Sequence, residues 1–540
     1  MKKIFLYGLG LLLLASCNDG DSQEGNSSKP ESEKKISKRD YSITKANSYS
    51  TLFFDSLEME KFIVEKKLDD KITRRMRSFY NTRNFQFAWF SDDGLTEQAL
   101  GFWNLHDYAA NYENDTTLKD KVLQKRMEAL ISEENLRASA SESFIQTELT
   151  LTQHFLMYML SNFEDGYVKR KEMERFIPFK KQDAMQVADS LLNKKHKDDK
   201  YFDDVHERYR LLKEQLGRYY NIAKAGGWPQ INTKKSLKKG SSDPAVVALK
   251  RRLQVTGELP ASDTSSLFTD TLEMAVKKAQ VMFGYTPDGI ADAELIKDLN
   301  VTAGQRVQQM LMNLGRMRWM PVEPSGRLIL VNIPEFMLHM YEGKQKAFDM
   351  VVVVGKEGHN TMMFNGDLNQ VVFSPHWNVP PSIVKNEILP AMASNPNYLA
   401  SQNMEQTGGE GGLPSIRQKP GPGNALGKVK FLFPNSFNIY FHDTPSKSLF
   451  KKDKRAFSHG CIRLAEPEKM ANYLLQDQPE WTPSKINAAM NAGTEKFVKL
   501  KDPVPVVITY YTAWVDERGQ LNFRDDVYDH DRKLIEKMFL

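Results

Sequence analysis

The segment FSHGCIRL, Phe457 to Leu464, holds one of the two cysteines in a chain of 540 residues, set among a histidine, a glycine and an arginine. A thiol becomes a useful nucleophile when a neighbouring base or a positive field draws off its proton. Two histidines are in range. His442, in NIYFHDTP, is separated from Ser458 by fifteen residues, enough for a strand to end, turn through Pro445 to Arg455 and return alongside as a hairpin arm, bringing the imidazole to the sulfur. His459 is too close along the backbone and is expected to shape the loop instead. Gly460 lets the backbone pass near a substrate, and the amides of His459, Gly460 and Cys461 could together cradle a developing oxyanion. This set is equipped for acyl transfer. A metal site built from Cys461, His442 and His376 is the first alternative, but it lacks the second cysteine and the CxxC spacing that zinc sites favour. An inert, buried cysteine is the second.

Positioning these groups falls to a β-rich region. RLILVNIP, FMLHMYE, FDMVVVVG, LNQVVFSP, FNIYFHD and VPVVITYYTAWVD are short, β-branched or aromatic runs punctuated by Gly, Pro, Asn and Asp. Between Asn386 and Lys428 helical residues and then TGGEGGLPSIRQKPGPGNALG interrupt the pattern. Such a glycine-rich excursion inside a β domain reads as an active-site lid. Upstream, Tyr49 to Trp228 shows apolar residues returning every three or four positions with charges between them, as in amphipathic helices. FQFAWFSDDGL, Phe85 to Leu95, reads as an aromatic core plug, and GGWP, Gly226 to Pro229, closes the helical stretch. Leu237 to Leu299 reads as three short helices with an Asp288-Gly289 turn. The expected fold class is therefore multidomain α+β: a helical scaffold at 46–235, a small helical module at 236–300, and a β-rich catalytic domain at 301–540 with a lid at about 386–430.

Length alone suggests roughly three domains. The chain carries 74 basic and 69 acidic residues, a net +5, and no basic stripe or nucleic-acid motif accompanies that small excess, so no nucleic-acid partner is expected. The start, MKKIFLYGLGLLLLASC, has a charged end, an apolar run too short to span a bilayer and a small-residue exit, as secretory signals do. Leu14-Ala15-Ser16-Cys17 resembles the lipobox of bacterial lipoproteins, which implies a signal peptide at 1–17 and lipidation of Cys17. A plain signal peptide that happens to contain a cysteine is the alternative. The polar run that follows reads as a flexible tether at 18–45. With Cys17 lipidated, Cys461 has no partner for an intramolecular disulfide.

SHGCIRL with an upstream His442 resembles the signature of the L,D-transpeptidase catalytic domain, the YkuD family. HWNVPPSIVKNEILP, KPGPGNALGKVKFLFPN and FHDTPSKSLF resemble its large multidomain YcbB-like type, as does the order of scaffold, module and lid-bearing catalytic domain. The module at 236–300 resembles a peptidoglycan-binding domain through Leu253-Gln254, Ala275-Val276, Gln280 and Asp288-Gly289, with Ala279 where that domain usually has phenylalanine. The resemblance implies a peptidoglycan L,D-transpeptidase. Its thiol attacks the L-centre carbonyl of the third residue of a tetrapeptide stem, D-alanine leaves, a thioester remains, and an amine on a neighbouring stem resolves it into a 3→3 cross-link. Cys461 would be the nucleophile, His442 its base and the Asp443 carbonyl the orienter of the imidazole, with His459, Gly460 and Cys461 supplying the oxyanion hole. Ser458 and Arg463 fall on motif positions. Ser458 is either a substrate contact or a loop-stabilising hydroxyl, and Arg463 either binds a substrate carboxylate or forms an internal salt bridge. Trp377 is a candidate groove wall or a buried core residue. His359 has no assigned role. No cofactor and no metal are implied. The implied partners are donor and acceptor stem peptides and a membrane reached through the lipid, with protein partners unknown, and the implied location is the periplasmic face of, on this reading, the outer membrane.

Overall fold

In the computed structural model the described residues are 36–111, 115–133, 136–163, 177–193, 207–261, 263–320, 326–410 and 412–540. The expected signal peptide with Cys17, and the tether up to residue 35, lie outside them.

The helical periodicity of the N-terminal region produces helices Ser56–Glu65, Asp70–Asn81, Glu97–Asn111, Lys121–Ser132, Glu142–Phe163, Ala184–Leu192 and Glu207–Lys224. Asp55, Asp69, Asp120 and Asp183 start four of them by accepting first-turn amide protons. The aromatic segment after the second helix is the plug its composition suggested. Phe87, Trp89 and Phe90 are fully buried, and the Glu148 carboxylate satisfies the Ala88 and Trp89 amides at 2.6 and 3.0 Å. The small module consists of helices Pro244–Val255, Asp270–Phe283 and Ala293–Asn300. Gln280 ties its turn together, donating to Asp288 at 2.6 Å and accepting from the Gly289 amide at 2.8 Å.

Helix Ala303–Met317 opens with a capping box, Thr302 and Gln305. Val307, Met310, Leu311 and Leu314 bury its apolar face in the core that the scaffold and the small module share. The stretch 301–320 was expected to open the catalytic domain, but it packs with the helices, and the main sheet begins at Arg327.

The strands of the β-rich part are β1 (Arg327–Asn332), β2 (Met337–Glu342), β3 (Gln345–Gly355), β4 (Phe364–Phe373), β5 (Trp377–Asn378), β6 (Met404–Glu410), β7 (Leu413–Gln418), β8 (Val429–Leu432), β9 (Phe441–His442), β10 (Ala456–Ser458), β11 (Ile462–Leu464) and β12 (Lys496–Thr509). Nine form one sheet in the order β10-β3-β11-β9-β8-β4-β12-β1-β2, and an additional β2–β3 pairing closes it on itself. Its core holds Val352, Val354, Val371, Phe373, Phe431, Phe441, Ile462, Leu464 and Val506. The remaining strands form a separate sheet, β5-β7-β6, which with helices Pro381–Ile383 and Leu389–Ser394 and a π-turn at Val384–Ile388 makes up the excursion read as a lid. This unit has its own apolar cluster of Val379, Ile383, Val384, Ile388 and Ile416. Beyond β12 the chain returns to the helical core through Trp514, Phe523, Leu534 and Phe539. No helix among the described residues is long and apolar enough to cross a membrane.

Candidate active site

Side chains alternate across a strand, so one registered pair orients its neighbours. β9 and β11 run parallel, pairing Phe441 with Ile462 and His442 with Arg463. Phe441 and Ile462 are fully buried in the sheet core. Tyr440, His442, Cys461 and Arg463 therefore share the opposite face. On the other flank of β9, β8 runs antiparallel and pairs Lys430 with His442 and Phe431 with Phe441, so Lys430 joins the same polar face. The expected hairpin arm is thus corrected: β9 and β11 are parallel neighbours. The chain between them makes a 3-10 turn, Lys447–Lys451, and then β10, which adds to β3 before the catalytic loop begins.

The His442 ring is buried, and its Nδ1 lies 2.5 Å from the Asp443 carbonyl oxygen. A carbonyl only accepts, so Nδ1 carries the proton and Nε2 presents a lone pair. Burial holds this imidazole down to about 3, helped by the Arg463 and Lys430 charges and opposed by Asp443. Asp443 is anchored in turn, its carboxylate accepting from the Lys428 amide at 2.9 Å and pairing with Lys447 at 2.6 Å. Cys461 is partly exposed, and its Sγ lies 3.7 Å from the Asn438 carbonyl oxygen. Burial pushes the thiol up to about 11, against hydrogen bonding from Tyr440 and the charge of Arg463. Among the described residues no hydrogen bond joins Cys461 to His442; Cys461 immediately precedes β11 and lies diagonally across from His442 of the adjoining β9. The resting state is a neutral thiol beside a neutral imidazole, an arrangement in which the base takes its proton as the sulfur attacks.

The catalytic loop is held from within by Ser458, whose hydroxyl donates to the Cys461 carbonyl at 2.5 Å and accepts from the Gly460 amide at 3.2 Å. This is the loop-stabilising alternative, and it corrects the expected three-amide oxyanion hole, because the Gly460 amide is already engaged. The His459 and Cys461 amides have no protein acceptor among the described residues. Gly460 sits at φ +111°, a conformation that favours glycine.

Arg463 does not form the internal salt bridge. Among the described residues no carboxylate pairs with it, and its Nε is buried without a hydrogen-bond partner. It remains a cation beside the thiol and the imidazole. Trp377 is partly buried, packing one side against the lid cluster and pairing through β5 with Gln418 of β7. His376 is engaged by Glu495 through its amide and Nδ1 at 2.9 and 3.2 Å. His459 meets the lid, with Nε2 3.1 Å from Glu387.

Three contributors had no role on sequence grounds. The His359 ring packs edge-on against His459 with centroids 4.9 Å apart, Thr361 donates to the Gly460 carbonyl at 2.7 Å, and Lys430 flanks His442. The glycine-bounded turn GKEGHNT was the only available signal for the first two. Lys430 had none, because register alone places it.

Residues 326–508 match the family model of the L,D-transpeptidase catalytic domain, YkuD. The C-terminal domain is YkuD-type. Residues 74–216 match a scaffold domain and 242–299 a "Putative peptidoglycan binding domain". A protein of Haemophilus influenzae named "Putative L,D-transpeptidase" is 31% identical over 254 residues, 44% of this chain and 50% of that protein, so the chain spans about half of that relative's length. Among solved structures, an L,D-transpeptidase from Mycobacterium smegmatis is 12% identical over 34% of this chain and 58% of its own, at a TM-score of 0.20. One from Stackebrandtia nassauensis is 12% identical over 52% and 96%, at a TM-score of 0.22. The YkuD-type domain includes β1 to β11 and nearly all of β12, and so the whole polar face around Cys461. Residues 509 to 540 lie beyond it.

Proposed function

We propose that the protein is a peptidoglycan L,D-transpeptidase of the large multidomain YcbB-like type, working through a thioester on Cys461. The observation that carries this reading is the polar sheet face on which Cys461, His442 and Arg463, which has no carboxylate partner among the described residues, are gathered, inside the segment that matches the L,D-transpeptidase catalytic domain. Cys461 adds to the L-centre carbonyl of the third residue of a tetrapeptide stem while His442 Nε2 takes the thiol proton. The carbonyl oxygen becomes an oxyanion facing the His459 and Cys461 amides. Collapse breaks the peptide bond, and the departing amine of D-alanine takes the proton back from the imidazolium. An amine on a second stem then attacks the thioester, loses a proton to His442, and expels the sulfur, which is reprotonated. The product is a 3→3 cross-link. Arg463 presents a planar fork of donors to a donor-stem carboxylate.

Upstream, the small module offers a second hold on the same polymer, and Cys17 anchors an exported lipoprotein facing the periplasm from the outer membrane. Incubation with tetrapeptide-bearing sacculi, followed by muropeptide analysis, is expected to release D-alanine and yield dimers joined between third residues. Release of D-alanine without dimers would assign hydrolysis or exchange at the same thiol. An unchanged profile, with no carbapenem adduct on Cys461, would leave a peptidoglycan-binding protein without catalysis. Fatty-acid labelling in cells tests the anchor: Cys17→Ser is expected to abolish incorporation.

A further inference from the structure

Two backbone amides at the catalytic loop, those of His459 and Cys461, have no protein acceptor among the described residues, and each belongs to a planar trans peptide whose carbonyl lies at the other end of the same unit. Both carbonyls are held by one segment, residues 355–361. The Lys356 amide donates to the Ser458 carbonyl at 2.9 Å, and the Thr361 hydroxyl donates to the Gly460 carbonyl at 2.7 Å. Because N–H and C=O point oppositely across a trans peptide, pinning these two oxygens toward the segment aims the two N–H groups away from it.

The segment is itself braced. The Gly355 amide donates to the Thr361 hydroxyl at 2.9 Å, and a Cβ at Gly355 would lie 2.1 Å from the His359 carbonyl oxygen, so the turn closes only around glycine. From beyond the family match, Tyr528 donates its hydroxyl proton to the Gly355 carbonyl at 2.7 Å and accepts from the Thr361 amide at 3.3 Å. The Tyr528 amide donates to the Tyr510 hydroxyl at 2.8 Å, which donates to Asp526 at 2.7 Å. Thr361 is 1% and Tyr528 2% exposed, so water does not replace these bonds.

We infer that Thr361, braced by Tyr528, is a positioning residue that preorganises a two-amide oxyanion hole formed by His459 and Cys461. This rests on the acyl-transfer reading above. Neither side chain touches substrate; each acts through the orientation of a peptide plane. Ser458 serves the same loop from inside by engaging the third amide, which explains why the hole has two donors.

The test compares Thr361→Val, which keeps shape and removes the hydroxyl, with Thr361→Ser and Tyr528→Phe in the full chain. Steady-state turnover of a tetrapeptide donor is measured beside alkylation of Cys461 by iodoacetamide, a displacement that forms no oxyanion. Thr361→Val is expected to lower kcat about 10- to 100-fold, with KM within about twofold and the alkylation rate unchanged. Thr361→Ser is expected to restore most of kcat, and Tyr528→Phe to fall between. A Thr361→Val kcat within about twofold of the parent overturns the inference, and so does alkylation falling in step with turnover, which would mark a general displacement of the loop. If the parent protein transfers no acyl group at all, the functional reading falls and takes this inference with it. An active parent with an indifferent Thr361→Val removes the inference alone.

Discussion

At the scale of single residues, the site combines a thiol that is hard to ionise with a base that is hard to protonate. With the thiol pushed up to about 11, iodoacetamide alkylation of Cys461 is expected to climb about tenfold per pH unit from pH 7 to 10 without a plateau; a plateau near pH 8 would mean a preformed thiolate. Arg463 lowers the thiol, so Arg463→Gln should raise it further and slow alkylation about 3- to 10-fold at fixed pH. Gly427 is a quieter dependency. It sits at φ +62°, and a Cβ there would lie 2.3 Å from the Asp443 carboxylate. Gly427→Ala is therefore expected to cost about 1–2 kcal/mol in denaturant unfolding and to reduce activity by moving the residue whose carbonyl orients His442.

Elements set the faces on which these residues act. The identities of His442 and Cys461 were legible from the motif alone, but the parallel register of β9 and β11 was not. Two short strands of two and three residues carry too little pattern to reveal their pairing, and the connection through β10 resembles a hairpin return until the β3 pairing is seen. Phe441 and Ile462 key that register into the core. Phe441→Ala is expected to cost about 3–5 kcal/mol in urea unfolding and to abolish acyl transfer even though no reacting group is altered. The lid is a different kind of element: it has its own apolar cluster and reaches the catalytic loop through Glu387 and His459. An exposed pair contributes little to global stability. Glu387→Gln should thus leave the melting temperature unchanged while limited proteolysis within residues 377–418 speeds up, showing that the contact seats the lid.

Across the whole molecule, buried polar contacts tie the helical region to the sheet. Arg316, in helix Ala303–Met317, binds Glu97 of the scaffold at 2.7 Å, Asp531 of the C-terminal helix at 2.5 Å and the Tyr510 carbonyl at 3.2 Å. Removing one member strands buried charge, so Arg316→Ala is expected to cost about 3–5 kcal/mol and to split a single calorimetric transition. A second tie surrounds a cavity of about 220 Å³ lined by Arg208, Glu335, His339, Tyr341, Lys346 and Glu517, among others. His339 there contacts Asp349 at 2.6 Å and Glu335 at 3.0 Å. Burial works against its charge, but these carboxylates outweigh it and raise the imidazole to about 9. A raised histidine contributes stability that is fully present below its unfolded value, near 6.5, and is lost as pH rises through about 9. The melting temperature is expected to fall by a few degrees between pH 6.5 and 9.5, with His339→Gln flattening that part of the slope.

The sequence by itself determined the chemistry on offer and the kinds of element that carry it. A cysteine between glycine and isoleucine, a histidine upstream, helical periodicity up to about residue 300 and β-branched runs beyond it are local facts, written in residue types and short spacings. Only the tertiary structure decided which strands run parallel, that Thr361 and Tyr528 stand behind the loop, and that among the described residues the His459 and Cys461 amides have no acceptor and Arg463 has no carboxylate partner. Those outcomes depend on hydrogen bonds between residues far apart in the chain. Such bonds leave no periodic trace, because the energy that selects them comes from closing one sheet around one core.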